Sequence, residues 1–279
     1  MKPDPRFLRQ PKFFWAYVRS ISENVGYTHA KQIKVPTFAE ITEALRDLSL
    51  SSDSVTAEDG RPSALADSLI AYFAYRADAL NRIVRPLLMN AREAERLFKH
   101  VRRTLRSKTF VPMNKQKAAM RKPAFLTGIV NMLVDANRGH SPCDLDPHQL
   151  TSVTKGGLPL RTLARRIDGA FPGPVNPVAI WEIKEYYYTT TFGSRIADGV
   201  YETLLDGMEL EELHHSEGIH VRHYLILDAY YTWWDCGRSY LCRIIDMLHM
   251  GYVDEVLFGR ETVERLPELV KEWVHLARS

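Results

Sequence analysis

Cysteine is scarce: Cys143, Cys236 and Cys242 are the only three in 279 residues. They are too few and too scattered for a disulfide framework or a tetrahedral zinc site. Each reads as a buried or half-buried thiol, and a reducing, cytoplasmic compartment is the expectation. Long apolar runs are missing as well. No stretch approaches the roughly 18 uninterrupted apolar residues of a membrane span. The opening Met1-Lys2-Pro3-Asp4-Pro5 carries charge with no apolar stretch behind it, unlike a signal peptide. There is no internal repeat and no low-complexity tract. His214, His215, His220 and His223 cluster, but their spacings fit no zinc pattern and they read as loop residues. What remains, 45% hydrophobic and 25% charged residues, is an ordinary globular composition, enough for one large domain or two small ones.

Charge is unevenly placed. Between Arg92 and Lys122 stand eleven basic residues and two acids, a local +9 in a chain of +3 overall, so the remainder carries −6. Such a segment suits a polyanion, because each phosphate neutralised releases condensed counterions. A solvated helix face followed by a basic loop would look the same in sequence.

The first 120 or so residues have helical periodicity. Phe14, Val18 and Ile21 share a face, Thr37-Phe-Ala-Glu40 has the spacing of a capping box, and Ser63 heads an amphipathic run that Pro86 should bend or break. A basic helix then runs from Asn90 to Arg106, and a polar loop from Lys108 to Pro123. Pro123 suits the first turn of a helix over residues 124–136. Beyond Gly139 the period changes. Residues 149–154 and 158–171 flank Lys155-Gly156-Gly157 as a hairpin, and residues 178–188 alternate as a strand. Helix 193–213, a doubly buried strand 223–231, helix 238–249, a short strand at Leu257 and Phe258, and helix 261–277 complete the series. We therefore expect an α/β fold with a basic helical lobe over 1–122 and a core with a C-terminal helix over 123–279.

Chemistry concentrates in Ala164-Arg-Arg-Ile-Asp168-Gly and Ala179-Ile-Trp-Glu182-Ile-Lys184-Glu. Residues two apart in a strand share a face, so Glu182 and Lys184 point one way and Trp181 and Ile183 the other. Val178 and Ile180 precede the charged pair on its own face, which should start apolar and then open. Unpaired charge at the end of such a strand costs several kcal/mol, so the pair must be neutralised or serve a site. Asp168, before Gly169 on the preceding strand, brings a second carboxylate alongside. Two carboxylates on neighbouring strands can hold a hard divalent cation, with a lysine beside them to orient water or offset phosphate charge.

This set resembles the PD-(D/E)xK nuclease signature, and the order helix, three strands, helix, strand over residues 124–258 resembles that superfamily's core. Ile167 stands where the signature has proline. The resemblance implies a restriction-endonuclease-like fold and a metal-dependent endonuclease hydrolysing DNA phosphodiester bonds, in a restriction or phage-defence setting. It implies Asp168, Glu182 and Lys184 as catalytic residues. The ion is Mg²⁺, or alternatively Mn²⁺, held by Asp168, Glu182 and the carbonyl of Ile183. The expected partner is double-stranded DNA, with a homodimer as one form of assembly, and no membrane. Arg102, Arg103, Arg106 and Lys108, with Arg195 at a helix start, are the candidate phosphate contacts. The aromatic run from Tyr230 to Trp234 is read as core, DNA-base or dimer contact, and the row Arg195, Asp198, Glu202 as surface ion pairing, with Glu202 supporting the site from behind if that face borders the cleft. A non-cleaving nucleic-acid-binding module on the same fold, and an RNA or repair nuclease, stay open beside the leading reading.

Overall fold

A computed structural model describes residues 1–8, 10–114, 121–189 and 193–278, and of Arg195 only the backbone. The N-terminal part is helical: α1 Pro5–Leu8, α2 Lys12–Val25, a two-residue ribbon of β1 Thr28–His29 and β2 Gln32–Ile33, α3 Phe38–Asp47 and α4 Ala64–Asp78. Thr37 and Glu40 cap α3 reciprocally, with Glu40 N donating to Thr37 Oγ1 at 3.3 Å and Thr37 N donating to Glu40 Oε2 at 2.8 Å. The helical run passes through Pro86 and ends one residue later, at Leu87. α4 continues through a π-helical turn, Ala79–Val84, into α5 Arg85–Leu87. The wider turn accommodates the ring and the missing N–H of Pro86.

Then follow α6 Ala91–Thr104 and α7 Phe125–Asn137. Asn90 and Glu93 form a second capping box at α6. Ala124, not Pro123, is the N-cap of α7, so the proline lies just outside the helix. β3 Ser152–Lys155 and β4 Leu158–Thr162 form an outlying hairpin whose turn places Gly156 and Gly157 at φ 58° and 81°, as a type I′ turn requires.

The main sheet has four strands in the order β5 Gly169–Phe171, β6 Ala179–Glu185, β7 Arg222–Asp228, β8 Glu255–Phe258. β5 is antiparallel to β6, and β6, β7 and β8 run parallel. α8 Ser194–Glu217 joins β6 to β7, α9 Arg238–His249 joins β7 to β8, and α10 Glu261–Leu276 follows. His214 and His215 are thus in a helix and His223 is buried in a strand, not in a loop. The expected long strand 158–171 is split between hairpin and sheet. Leu163 and Ile167 instead pack with Leu210, Leu213 and Val221, which pulls residues 163–168 off the ladder and over α8.

Alternation along the strands builds the two faces. Trp181, Tyr224, Ile226 and Leu257 pack against α6, α7 and α10. Leu225, Leu227, Val256 and Phe258 pack against α8, α9 and the end of α4. The result is a mixed α/β architecture with helices on both faces of the sheet, and α1 to α4 enclose a further aromatic cluster around Phe14, Trp15, Tyr72 and Phe73. No helix among the described residues is long and apolar enough to cross a membrane.

Candidate active site

β5 and β6 bring Asp168 beside Glu182. The ladder pairs Gly169 with Trp181, and Asp168 Oδ2 accepts a hydrogen bond from Ile183 N at 2.9 Å. Gly169 is needed for this register: a Cβ there would come 2.0 Å from the Trp181 ring, which is fully buried and stacked on Trp273. Glu182 and Lys184 lie on the opposite face of β6 from Trp181, under α8. That face does not open as the alternation suggested. Glu182 has no exposure and Lys184 only 6%, because α8 packs over them; its Gly199 faces the Lys184 stem and the Tyr186 hydroxyl, and an added Cβ would lie 2.9 Å from that hydroxyl.

The buried charges are paired several times over. Lys184 Nζ donates to Glu182 Oε2 at 2.9 Å and lies 3.4 Å from Glu202 Oε2. Arg165 reaches in from the segment between β4 and β5. Its Nη1 lies 2.8 Å from Glu182 Oε1 and 2.7 Å from Asp206 Oδ2, and its Nη2 lies 3.1 Å from Glu182 Oε2 and 3.3 Å from Glu202 Oε2. Burial alone would drive Lys184 towards its neutral form. The charge of Glu182, joined by Tyr186, the hydrogen bond to Glu182 and the charge of Asp168, outweighs burial and holds the ammonium above its ordinary pKa. Burial would likewise raise Glu182, but Lys184 and then Arg165 keep its carboxyl below the usual range. Asp206 behaves differently: burial pushes it up to about 7 against the pull of Arg165.

The structure thus unites Asp168, Glu182 and Lys184, and adds Arg165, Glu202 and Asp206. Glu202 belongs to this cluster and not to a surface row. Arg165 and Asp206 were missed in sequence because no spacing rule links a loop arginine to a carboxylate 41 residues on. The four-residue step from Glu202 to Asp206, one face of α8, was the available signal.

As for a metal, the oxygen-only donor set and its charge suit a hard divalent cation: four carboxylates face two cations, and Asp206 Oδ1 is buried without a hydrogen-bond partner. Among the described residues no three Asp, Glu, His or Cys side chains already form a ligand set. Arg165 stands between them instead.

The phosphate-contact candidates do not join this cluster. Arg102, Arg103, Arg106 and Lys108 are exposed at and beyond the C-terminal end of α6, on the other side of the sheet. With Arg92, Arg96 and Lys99 they leave the outer side of α6 almost wholly basic. Arg106 lies beyond the helix, in the left-handed region at φ 49°. The Arg195 side chain, Lys115 and Lys117 lie outside the described residues. Trp233 and Trp234 are core, at 0% and 2% exposure, so base contact by either indole is excluded in this arrangement; Tyr231, half exposed, is the accessible ring of that stretch. Cys236 is exposed rather than buried, while Cys143 is half-buried and Cys242 buried.

Across the sheet, Glu185 and Asp228 are register partners at the ends of β6 and β7. Burial pushes both up to about 7, Glu185 against hydrogen bonds from Thr127, and Asp228 against those from Tyr187, Met89 N and Ala229 N. A carboxyl whose folded pKa exceeds its unfolded value binds its proton preferentially in the folded state. Stability should therefore fall as pH rises from about 4.5 through 7. Glu185→Gln keeps the acceptor for Thr127 and removes the titration. Urea unfolding at pH 6 and 8.5 should show the wild-type loss shrinking by about 1.4 kcal/mol in the variant, because about one pKa unit of the titration lies inside that window. An unchanged difference would show that Glu185 does not titrate in this window.

Residues 89–273 match the family described as Domain of unknown function (DUF7687), and the chain belongs to it. Residues 1–83 match a second family, Domain of unknown function (DUF7690). No curated protein and no solved structure matches the chain.

Proposed function

We propose that this member of the DUF7687 family is a metal-dependent nuclease acting on DNA, with the PD-(D/E)xK arrangement as its cutting site. The observation that carries the proposal is the meeting of Asp168, at the entry to β5, with Glu182 and Lys184 on the paired strand β6, in a buried cluster with more carboxylates than cations. Further support comes from the mixed sheet, in which β5 is antiparallel to β6 and α7 and α8 flank the pair, although the sheet holds two strands between those helices where the resemblance implies three, β3 and β4 forming a separate hairpin. Asp168 and Glu182, with the Ile183 carbonyl, would hold Mg²⁺ or Mn²⁺. When bound, such an ion polarises a phosphoryl oxygen and lowers the pKa of an attacking water. Lys184, held protonated, offsets the negative charge that develops on the phosphate.

Incubation with supercoiled plasmid, in Mg²⁺ and in EDTA, tests the activity. Nicking or linearisation with Mg²⁺ alone is expected; intact plasmid under both conditions would overturn the proposal. A DNA affinity without cutting would favour the non-cleaving module, and cleavage of RNA alone would shift the substrate class.

The exposed basic face of α6 and the residues after it would grip the backbone, positioning the duplex without specifying sequence. Neutralising Arg102, Arg103, Arg106 and Lys108 together should weaken all sequences about equally. For every phosphate that the variant no longer neutralises, the log–log salt dependence of binding should flatten by roughly 0.9. An unchanged slope would place this face in solvent.

A further inference from the structure

We propose that Glu182 and Asp206 form a binding site for a hard divalent cation, and that Arg165 fills the cation's place and swings out when it binds. The inference rests on the metal-dependent reading above and names a ligand, Asp206, that the sequence signature does not contain. A single nitrogen, Arg165 Nη1, lies 2.8 Å from Glu182 Oε1 and 2.7 Å from Asp206 Oδ2. A Mg²⁺ ion sits about 2.0–2.1 Å from its oxygen ligands, so it would occupy nearly the position Nη1 holds once the two oxygens draw in by about 0.6 Å. Both carboxylates are fully buried. Arginine satisfies them incompletely: Asp206 Oδ1 is buried with no hydrogen-bond partner, and Glu182 Oε1 meets Nη1 as an ion pair without an aligned hydrogen bond. A divalent ion replaces one positive charge with two in a cluster that holds four carboxylates, Asp168, Glu182, Glu202 and Asp206, against Arg165 and Lys184.

The two cations differ in their freedom to leave. Lys184 is fixed on β6 with a side chain only 7% exposed. Arg165 is 23% exposed and rides on residues 163–168, outside any strand. Its Nη2 already contacts Glu202, whose side chain is 45% exposed, so an outward rotation keeps an ionic partner. Asp168 is less free to change, since its Oδ2 is committed to Ile183 N.

Isothermal titration with Mn²⁺ tests this on the full chain, with no DNA present. Arg165→Gln removes the competitor and should bind Mn²⁺ at least tenfold more tightly than wild type. Adding Asp206→Asn to that variant should erase the gain. Equal affinity in wild type and Arg165→Gln, or a gain that survives Asp206→Asn, would overturn the proposal, as would no binding by either chain. If Arg165→Gln fails to melt cooperatively, Arg165→Lys serves, since an ammonium gives up the contacts that Nη2 makes with Glu182 and Glu202 and so competes less; it should bind severalfold more tightly, and unchanged affinity counts against the proposal. Binding that depends on Asp168 but ignores Arg165 and Asp206 would overturn this inference and leave the nuclease reading standing. Tight, Asp206-dependent binding by a protein that cuts no nucleic acid would do the reverse.

Discussion

Lys184→Met is expected to slow single-turnover cleavage of a DNA duplex by about a thousandfold, the scale on which loss of one aimed charge-stabilising donor acts. DNA affinity should change less than about threefold. The reason lies in where Lys184 sits. Its ammonium is buried beside Glu182 and kept protonated by that carboxylate, so it is aimed at the site and contributes little to holding a duplex from outside. Methionine keeps the stem that packs beneath Gly199, and Glu182 retains Arg165 as a counter-ion, so the fold should survive. A parallel loss of binding and cutting would make Lys184 a phosphate anchor rather than a group that acts on the reacting phosphate.

The largest effect on stability is expected from Asp246→Ala. Arg76 on α4 is 1% exposed and its Nη1 lies 3.0 Å from both oxygens of Asp246 on α9. Tyr72 donates to the same carboxylate at 2.6 Å, and Arg76 Nη2 donates to Ser22 on α2 at 3.1 Å. This network ties the segment matched by one family model to the segment matched by the other. Removing the carboxylate strands a guanidinium in the interior, which costs about 3–5 kcal/mol. For a chain of this size that lowers Tm by roughly 10 °C. The double variant Arg76→Met/Asp246→Leu should recover much of the loss, because an apolar pair of similar volume avoids the unpaired charge. A drop in Tm under about 2 °C for Asp246→Ala would mean that water reaches Arg76.

Local signals in the sequence translated well where one element decides them. The Thr37 capping box, the Gly156-Gly157 turn and the β6 alternation that separates Trp181 from Glu182 depend on neighbours in the chain, and the structure shows each of them. Features set by packing between distant segments were not legible. Residues 158–171 carry strand-forming residues throughout, yet Leu163 and Ile167 find a better apolar partner in α8 than the ladder offers. The charged face of β6 was read as opening into a cleft, whereas α8 packs over it. Glu202 read as a surface ion-pair residue because Arg195, Asp198 and Glu202 are spaced three and four apart, and the approach of β6 settles the other reading, a partner of the site beside Lys184. Arg165 and Asp206, 41 residues apart, share no pattern that a single sequence reveals. Trp233 and Trp234, read from the sequence as core or as a contact surface, are both core.

The central claim is that Asp168, Glu182 and Lys184 form a metal-dependent site that cuts phosphodiester bonds. Asp168→Asn probes it with little structural cost, since the amide oxygen can still accept from Ile183 N while the charge is gone. Supercoiled plasmid should be nicked or linearised by the wild-type protein in Mg²⁺. Under the same conditions Asp168→Asn, folded and with an unchanged melting profile, should leave the plasmid intact. Equal cleavage by the two proteins would contradict the account.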